Sequence, residues 1–82
     1  MYDIKFSQTA EKQLLKLNKD IQSRIISALE RVRVRPHAHV IKLVGYSYFK
    51  LRFGGYRIIL DIQDGKLLIL VIEIGHRRNV YK

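Results

Sequence analysis

The chain of 82 residues contains no cysteine and no tryptophan, and it has a single proline. Without cysteine it can form no disulfide bond, no thiolate nucleophile and no cysteine-ligated zinc site, so packing alone must hold the fold together. No apolar run approaches the roughly 18 to 20 residues that span a bilayer. The first five residues also lack the basic and then apolar order of a signal peptide. We therefore expect a cytoplasmic protein that has no membrane partner.

Negative charge is also scarce. Seven acidic residues stand against 16 lysines and arginines, which gives a formal net charge of +9 at pH 7. Such a surplus on a small chain indicates a polyanionic partner, whether nucleic acid, anionic lipid or an acidic protein, and composition does not choose among them. The hydrophobic fraction of 48% is typical of a globular protein. We expect a single domain over residues 1–82, too small for a two-lobed enzyme with a deep cleft.

The first half of the chain predicts one strand and two helices. Tyr2, Ile4 and Phe6 alternate with polar residues, which is typical of a strand with one apolar face. Ser7 offers a helix cap. Apolar residues then recur at helical spacing in two sets, Ala10, Leu14 and Leu17, followed by Ile21, Ile25, Ala28 and Val32. The break at residues 18–20 divides them into a helical hairpin, and Pro36 forbids continuation of the second helix.

The second half predicts three strands, at about residues 47–53, 56–63 and 66–74. Gly54-Gly55 and Asp64-Gly65 separate them, and both dipeptides favour two-residue hairpin loops. Six consecutive apolar residues, 67–72, indicate that the third of these strands is central and covered on both faces. The predicted fold class is α+β, a βααβββ domain with the N-terminal helical hairpin packed on an antiparallel sheet.

Positive charge is concentrated where acidic residues are absent, between Glu30 and Asp61. A two-residue loop at Gly54-Gly55 places Arg52 opposite Arg57 on one side of the sheet, where like charges repel each other. Lys50 joins that side two residues earlier. Three cations with no acid beside them in the hairpin indicate an anion site, such as a site for a phosphodiester.

The same side of the sheet is also expected to carry apolar residues. Ile59 belongs to it, and a two-residue loop at Asp64-Gly65 would add Leu68, Leu70 and Ile72. Apolar residues outside the helix-covered side are typical of a protein interaction site, although the C-terminal tail or a dimer mate could equally cover them.

Four motifs resemble those of RelE-type toxins of the RelE/ParE superfamily: Lys-Leu-Val-Gly at 42–45, Phe-Lys-Leu-Arg at 49–52, Gly-Tyr-Arg-Ile-Ile at 55–59 and His-Arg-Arg-Asn-Val-Tyr at 76–81. The order of strand, helical hairpin and three-stranded meander also resembles that family. The resemblance implies a toxin of a type II toxin–antitoxin system, a ribosome-dependent endoribonuclease that cleaves mRNA in the A site. The implied partners are mRNA on the ribosome, with its 16S-type rRNA, and an acidic RelB-like antitoxin. DNA would be contacted only through the antitoxin complex.

The resemblance also implies the site residues. By position, the catalytic candidates are Lys50, Arg52, Arg57, Arg77 and Tyr81. Arg52 stands where the best-known members have lysine, and arginine can bind phosphate but cannot act as a base. Further candidates for RNA binding are Lys42, Tyr48, His76, Arg78, Arg31 and Arg35, although Arg31 and Arg35 fit a solvated helix end equally well.

RNA carries its own nucleophile, the 2′ hydroxyl, so cleavage requires a base, an acid and a cation for the phosphate. The carboxylates are scattered, and His37 and His39 lack a partner at metal-ligand spacing, so we expect no metal and no cofactor. Tyr81 can be the base only if cations such as Arg57 and Arg77 favour its phenolate form. Arg77, Lys50 and His76 remain candidates for supporting the leaving 5′ oxygen.

Two alternatives share these features. A ParE-type relative would have the same fold but would poison DNA gyrase instead of cutting RNA. A non-catalytic RNA-binding module on the ribosome would have the same electrostatics. In such a module, Tyr81→Phe should leave the function intact.

Overall fold

The computed structural model describes residues 1–76, which form one five-stranded sheet and two helices. Along the chain the elements are β1 (Asp3–Phe6), α1 (Gln8–Leu15), α2 (Lys19–Val32), β2 (Ile41–Lys42), β3 (Phe49–Phe53), β4 (Tyr56–Gln63) and β5 (Leu68–His76). Short 3-10 turns occur at Pro36–Ala38 and Asp64–Lys66. Over the described part of the chain, no helix has the length and apolar character needed to cross a membrane. The predicted α+β class is confirmed.

The helical hairpin begins and breaks where local capping requires it. The Ser7 hydroxyl accepts a hydrogen bond from the Ala10 N–H at 3.0 Å, and the Asn18 side chain accepts one from the Ile21 N–H at 3.0 Å. Each bond satisfies a backbone donor that lacks a partner within its helix. The predicted cap at Ser7 and the break after α1 are confirmed.

The sheet is mixed rather than antiparallel. Its strand order is β1-β5-β4-β3-β2, and β1 runs parallel to β5 while the other neighbours are antiparallel. The helices carry the chain from β1 at one edge to β2 at the other, and the meander then returns to β1. The expectation of an antiparallel sheet was wrong because it did not pair the first strand with the last. The two-residue strand β2 was also not predicted.

The loop after β4 differs from the predicted two-residue turn. Asp64–Lys66 form a 3-10 turn, and Leu67 adopts the left-handed conformation with φ 50° and ψ 47° before β5 begins at Leu68. Gln63 pairs with Leu68, so four residues rather than two connect the strands. Two extra residues preserve the alternation of faces, and Leu68 and Leu70 therefore remain on the predicted side of the sheet.

The core lies between the helices and one face of the sheet. Its fully buried large side chains include Ile25 and Leu29 from α2, and Ile58, Leu60, Ile69 and Val71 from the sheet. The strand at the centre of the sheet is β4, not β5 as the apolar run predicted. Burial on both faces is continuous from Arg57 to Leu60, whereas Leu68 and Leu70 of β5 are only half-buried.

A cluster of three side chains ties the start of the chain to the β4–β5 loop. The Tyr2 hydroxyl donates to Asp64 Oδ1 at 2.7 Å, and His37 Nε2 lies 2.9 Å from the same oxygen. The hydrogen bond from Tyr2, followed by that of His37, lowers the pKa of the Asp64 carboxyl. The hydrogen bond to Asp64 raises the pKa of the Tyr2 phenol.

Asp64→Asn is expected to lower the melting temperature at pH 7. Because the pKa of Asp64 is lower in the folded than in the unfolded state, its stabilising contribution is present above the unfolded pKa and is lost as the pH falls through the folded pKa. Thermal unfolding of wild type and variant should therefore converge in acid. Tyr2→Phe should also lower the melting temperature, but by less than Asp64→Asn does. The decrease in the double variant should be smaller than the sum of the decreases in the two single variants. Equal melting temperatures at pH 7 would contradict this.

Candidate nucleic-acid interface

The β3–β4 hairpin brings together the cations that the sequence singled out. Arg52 pairs with Arg57 and Phe53 with Tyr56 across the Gly54-Gly55 loop, and Lys50 pairs with Ile59. Gly54 has a φ of 56°, a conformation that glycine adopts without steric cost. The register predicted from the two-residue loop is confirmed. Lys50, Arg52 and Arg57 therefore share the face of the sheet that points away from the helices, which we call the open face.

The open face continues across β5 and β1. Arg57 is opposite Gly75, Ile59 opposite Glu73, Asp61 opposite Leu70 and Gln63 opposite Leu68. In β1, Lys5 lies beside Leu70 and Asp3 beside Leu68. Thus the expected mixture of cations with apolar Ile59, Leu68 and Leu70 on one face is present. Ile72 has no place in this register because a shift between Ile59 and Leu60 leaves it without a partner in β4.

Burial differs sharply among the side chains of the open face. Arg57 is only 8% exposed and Ile59 only 5%, although Ile59 is outside the core cluster beneath the helices. Lys50 is half-buried and Arg52 is exposed. A guanidinium that is enclosed in this way interacts more strongly with an anion than an exposed one, because less water screens the charge. Arg57 is thus the best placed of the three cations to act on a phosphate.

Glu73 is an acidic member of the open face that the sequence reasoning missed. A two-residue loop after β4 would have placed Ile72 opposite Arg57 and turned Glu73 toward the helices. The irregularity in β5 instead sets Glu73 opposite Ile59. Two contacts with the helical layer hold this part of β5. The Ser7 hydroxyl donates to the Ile72 carbonyl at 2.7 Å, and the Ile74 N–H donates to Gln13 Oε1 at 2.6 Å. No local pattern in residues 66–76 indicates these contacts.

Several other candidates lie away from the three cations. Lys42 pairs with Phe49 and His76 with Tyr56, so the alternation of faces places both on the opposite side of the sheet from Lys50 and Arg57. The His76 ring contacts Tyr56 edge-on, with centroids 5.7 Å apart.

The remaining RNA-binding candidates divide between the helical layer, the start of β3 and the end of the chain. Arg31, in the last turn of α2, and Arg35, after that helix, are exposed on the helical side. Tyr48 is half-buried just before β3, and its carbonyl accepts the Leu43 N–H at 3.0 Å. Arg77, Arg78 and Tyr81 lie outside the described residues.

The titratable side chains do not form a metal centre within residues 1–76, where no three histidine or acidic side chains are grouped to hold an ion. His37 nevertheless has a hydrogen-bond partner, because its ring lies 2.9 Å from Asp64 Oδ1. That contact joins elements 27 residues apart along the chain.

Comparison with known proteins agrees with this architecture. Residues 4–81 match the family of ParE toxins of type II toxin–antitoxin systems, parDE. The mRNA interferase toxin RelE of Escherichia coli strain K12 is 30% identical over 79 residues, which cover 93% of this chain and 83% of that protein. The chain belongs to the ParE toxin family of type II toxin–antitoxin systems and is a toxin of the RelE type.

Solved structures support the same assignment. A chain in the crystal structure of the intact E. coli RelBE toxin–antitoxin complex is 30% identical, with a TM-score of 0.78 over 93% of this chain and 96% of that one. A chain of the RelBE2 complex from Mycobacterium tuberculosis is 25% identical, with a TM-score of 0.86 over 95% and 93%. The resemblance on which the sequence analysis relied is therefore confirmed, as is the expected fold.

Proposed function

We propose that this toxin is a ribosome-dependent endoribonuclease that cleaves mRNA in the A site and thereby inhibits translation. The observation that carries the proposal is the pairing of Arg52 with Arg57, with Lys50 on the same face. Like charges directly opposite each other destabilise a sheet, so this arrangement is best explained by an anionic substrate. The relative from E. coli K12, named an mRNA interferase, supports the same activity.

Cleavage would proceed without a metal, through the substrate's own nucleophile. The 2′ oxygen attacks the adjacent phosphorus, the bond from phosphorus to the 5′ oxygen breaks, and a 2′,3′-cyclic phosphate and a 5′ hydroxyl result. Arg57 stabilises the added negative charge on the five-coordinate phosphorus, as preorganised cations do. Lys50 and Arg77 support the leaving 5′ oxygen, and Tyr81 takes part in proton transfer. Arg52 binds a neighbouring phosphate.

The proposed protein partner is an acidic, RelB-like antitoxin. The two similar solved structures are both complexes of RelE-type proteins with RelB. An acidic segment with apolar side chains would match the open face, because it would neutralise Lys50 and Arg52 while covering half-buried Leu68 and Leu70. The mRNA and 16S-type rRNA of the ribosome would occupy the face only when the antitoxin leaves, and DNA would be reached only through the complex.

Inducible expression of the toxin, followed by mapping of mRNA 5′ ends on translating ribosomes, tests the proposal. We expect new 5′ ends within codons of translated messages soon after induction, because the cations would act on mRNA held in the A site. The same messages should stay intact when translation is blocked before induction. Growth arrest with unchanged 5′ ends would contradict the proposal.

A second candidate is inhibition of DNA gyrase, which the match to the ParE toxin family favours. It predicts growth arrest with intact mRNA and induction of the DNA-damage response. The 5′-end map and a DNA-damage reporter, recorded in the same culture, separate the two functions.

A further inference from the structure

We propose that Glu73 accepts the proton of the 2′ hydroxyl in this cleavage reaction, an inference that rests on the proposed function. RNA cleavage needs a base, and arginine cannot serve because it does not lose its proton. Among the described residues of the open face the alternative is Lys50, and a lysine is protonated in its ordinary state at neutral pH. A carboxylate, in its ordinary state at neutral pH, carries no proton and can accept one.

The register places Glu73 at the centre of the site. Lys50, Ile59 and Glu73 form one row across β3, β4 and β5, since Ile59 pairs with both of the others. Arg57 lies two residues from Ile59 along β4, on the same face. Diagonal neighbours on adjacent strands are about 7 to 8 Å apart at Cα, within reach of long side chains. A phosphate held by Arg57 and Lys50 would thus have Glu73 on its remaining side.

Contacts of the neighbouring backbone hold Glu73 at its position on this face. It is half-buried, and the flanking β5 residue Ile74 is fixed by the bond from its N–H to Gln13. Preorganisation of this kind is needed for a base that must meet one hydroxyl of a bound nucleotide. The charged groups on the same face as Glu73 are Arg57 and Asp61 on β4, Asp3 and Lys5 on β1, and, one strand further away, Lys50 and Arg52 on β3.

Each proton that moves in the cleavage step has a donor and an acceptor. Glu73 takes the proton from the 2′ hydroxyl as the 2′ oxygen bonds to phosphorus, and the departing 5′ oxygen takes a proton from the group that acts as the acid, which then regains one from solvent. The protonated carboxyl returns its proton to solvent after the product leaves.

Single-turnover cleavage of mRNA on programmed ribosomes, measured between pH 5 and 9, tests the role. We expect Glu73→Gln to lower the rate constant by about 10²-fold or more, the usual contribution of a general base, and to remove the acidic limb of the pH–rate profile. Glu73→Asp should keep that limb with a reduced rate, because it retains the carboxylate at a shorter reach. Asp61→Asn is the matched control, a half-buried carboxylate on the same face, and its rate should stay near that of wild type.

The outcomes separate this inference from the proposed function. Wild-type rates in Glu73→Gln, or a lower rate with the acidic limb unchanged, would overturn the role of Glu73 while cleavage by wild type and its loss in Arg57→Ala would uphold the nuclease. Absence of cleavage by the wild-type protein would overturn both. Thermal unfolding of each variant shows whether a lower rate reflects a loss of fold, and Glu73→Asp keeps the role testable if Glu73→Gln does not fold.

Discussion

Arg57→Ala is expected to lower the rate of mRNA cleavage on the ribosome by about 10²- to 10³-fold, the usual cost of removing one preorganised group from a developing negative charge. Arg57 lies on the central strand between β3 and β5, and it is only 8% exposed. Its partner across the hairpin, Arg52, is exposed, so water screens the charge of that guanidinium more strongly. Arg57→Lys should recover only part of the rate, because an ammonium lacks the planar fork that binds two phosphate oxygens.

The same culture experiment supplies the measurement and the controls. Codon-internal 5′ ends and growth arrest should disappear together in Arg57→Ala. Arg24→Ala is the matched control, since Arg24 is exposed on α2 and pairs with Asp20 at 3.3 Å, and it should leave toxicity unchanged. Tyr81→Phe, which removes only the phenolic hydroxyl, should also lose cleavage. Full toxicity in both Arg57→Ala and Tyr81→Phe would instead favour a binding protein without catalysis.

Leu60→Ala is expected to lower the free energy of unfolding by about 2 to 5 kcal/mol, as in other buried leucines replaced by alanine. Leu60 is 0% exposed on the central strand and pairs with Phe49 and Val71. A domain of 82 residues has a total of about 4 to 12 kcal/mol at 25 °C, so a large part of its stability would be lost. Thermal unfolding should show a melting temperature lower by roughly 10 °C or more.

Leu15→Ala gives the comparison for that substitution. Leu15 is 66% exposed at the end of α1, and surface substitutions usually change stability by no more than about 0.5 kcal/mol. If the two variants melted at the same temperature, the placement of Leu60 beneath the helices would be wrong. The antitoxin would stabilise either variant by mass action, so both should be measured as free toxin.

The sequence predicted the parts of the fold that local chemistry decides. The Gly54-Gly55 loop fixes the register of Arg52 and Arg57 because a two-residue turn leaves one choice of partners. Ser7 predicts the start of α1 because its hydroxyl can accept from a backbone N–H three residues later. These features depend on fewer than about ten consecutive residues, and periodicity detects them.

The features of the fold that the sequence did not predict depend on contacts between distant parts of the chain. The turn at Asp64 is joined to Tyr2 and His37, which are 62 and 27 residues away. The parallel pairing of β1 with β5 likewise needs both ends of the chain. For the candidate site, the sequence placed Lys50, Arg52 and Arg57 correctly on one face but left Glu73 out. The position of Glu73 depends on a register shift within the strand pair β4–β5, and no turn dipeptide in the sequence predicts that shift.

Ile72 has no partner in β4, and this irregularity decides which β5 side chains face the core and which lie on the open face. Ile69 and Val71 before it and Ile74 after it all belong to the core, because the extra residue shifts the alternation of faces by one position. Without this irregularity, regular alternation from Val71 would turn Glu73 toward the helices and Ile74 out of the core. The Ser7 hydroxyl, which caps α1, also donates to the Ile72 carbonyl. The start of the first helix therefore helps to hold the irregularity of β5 in place.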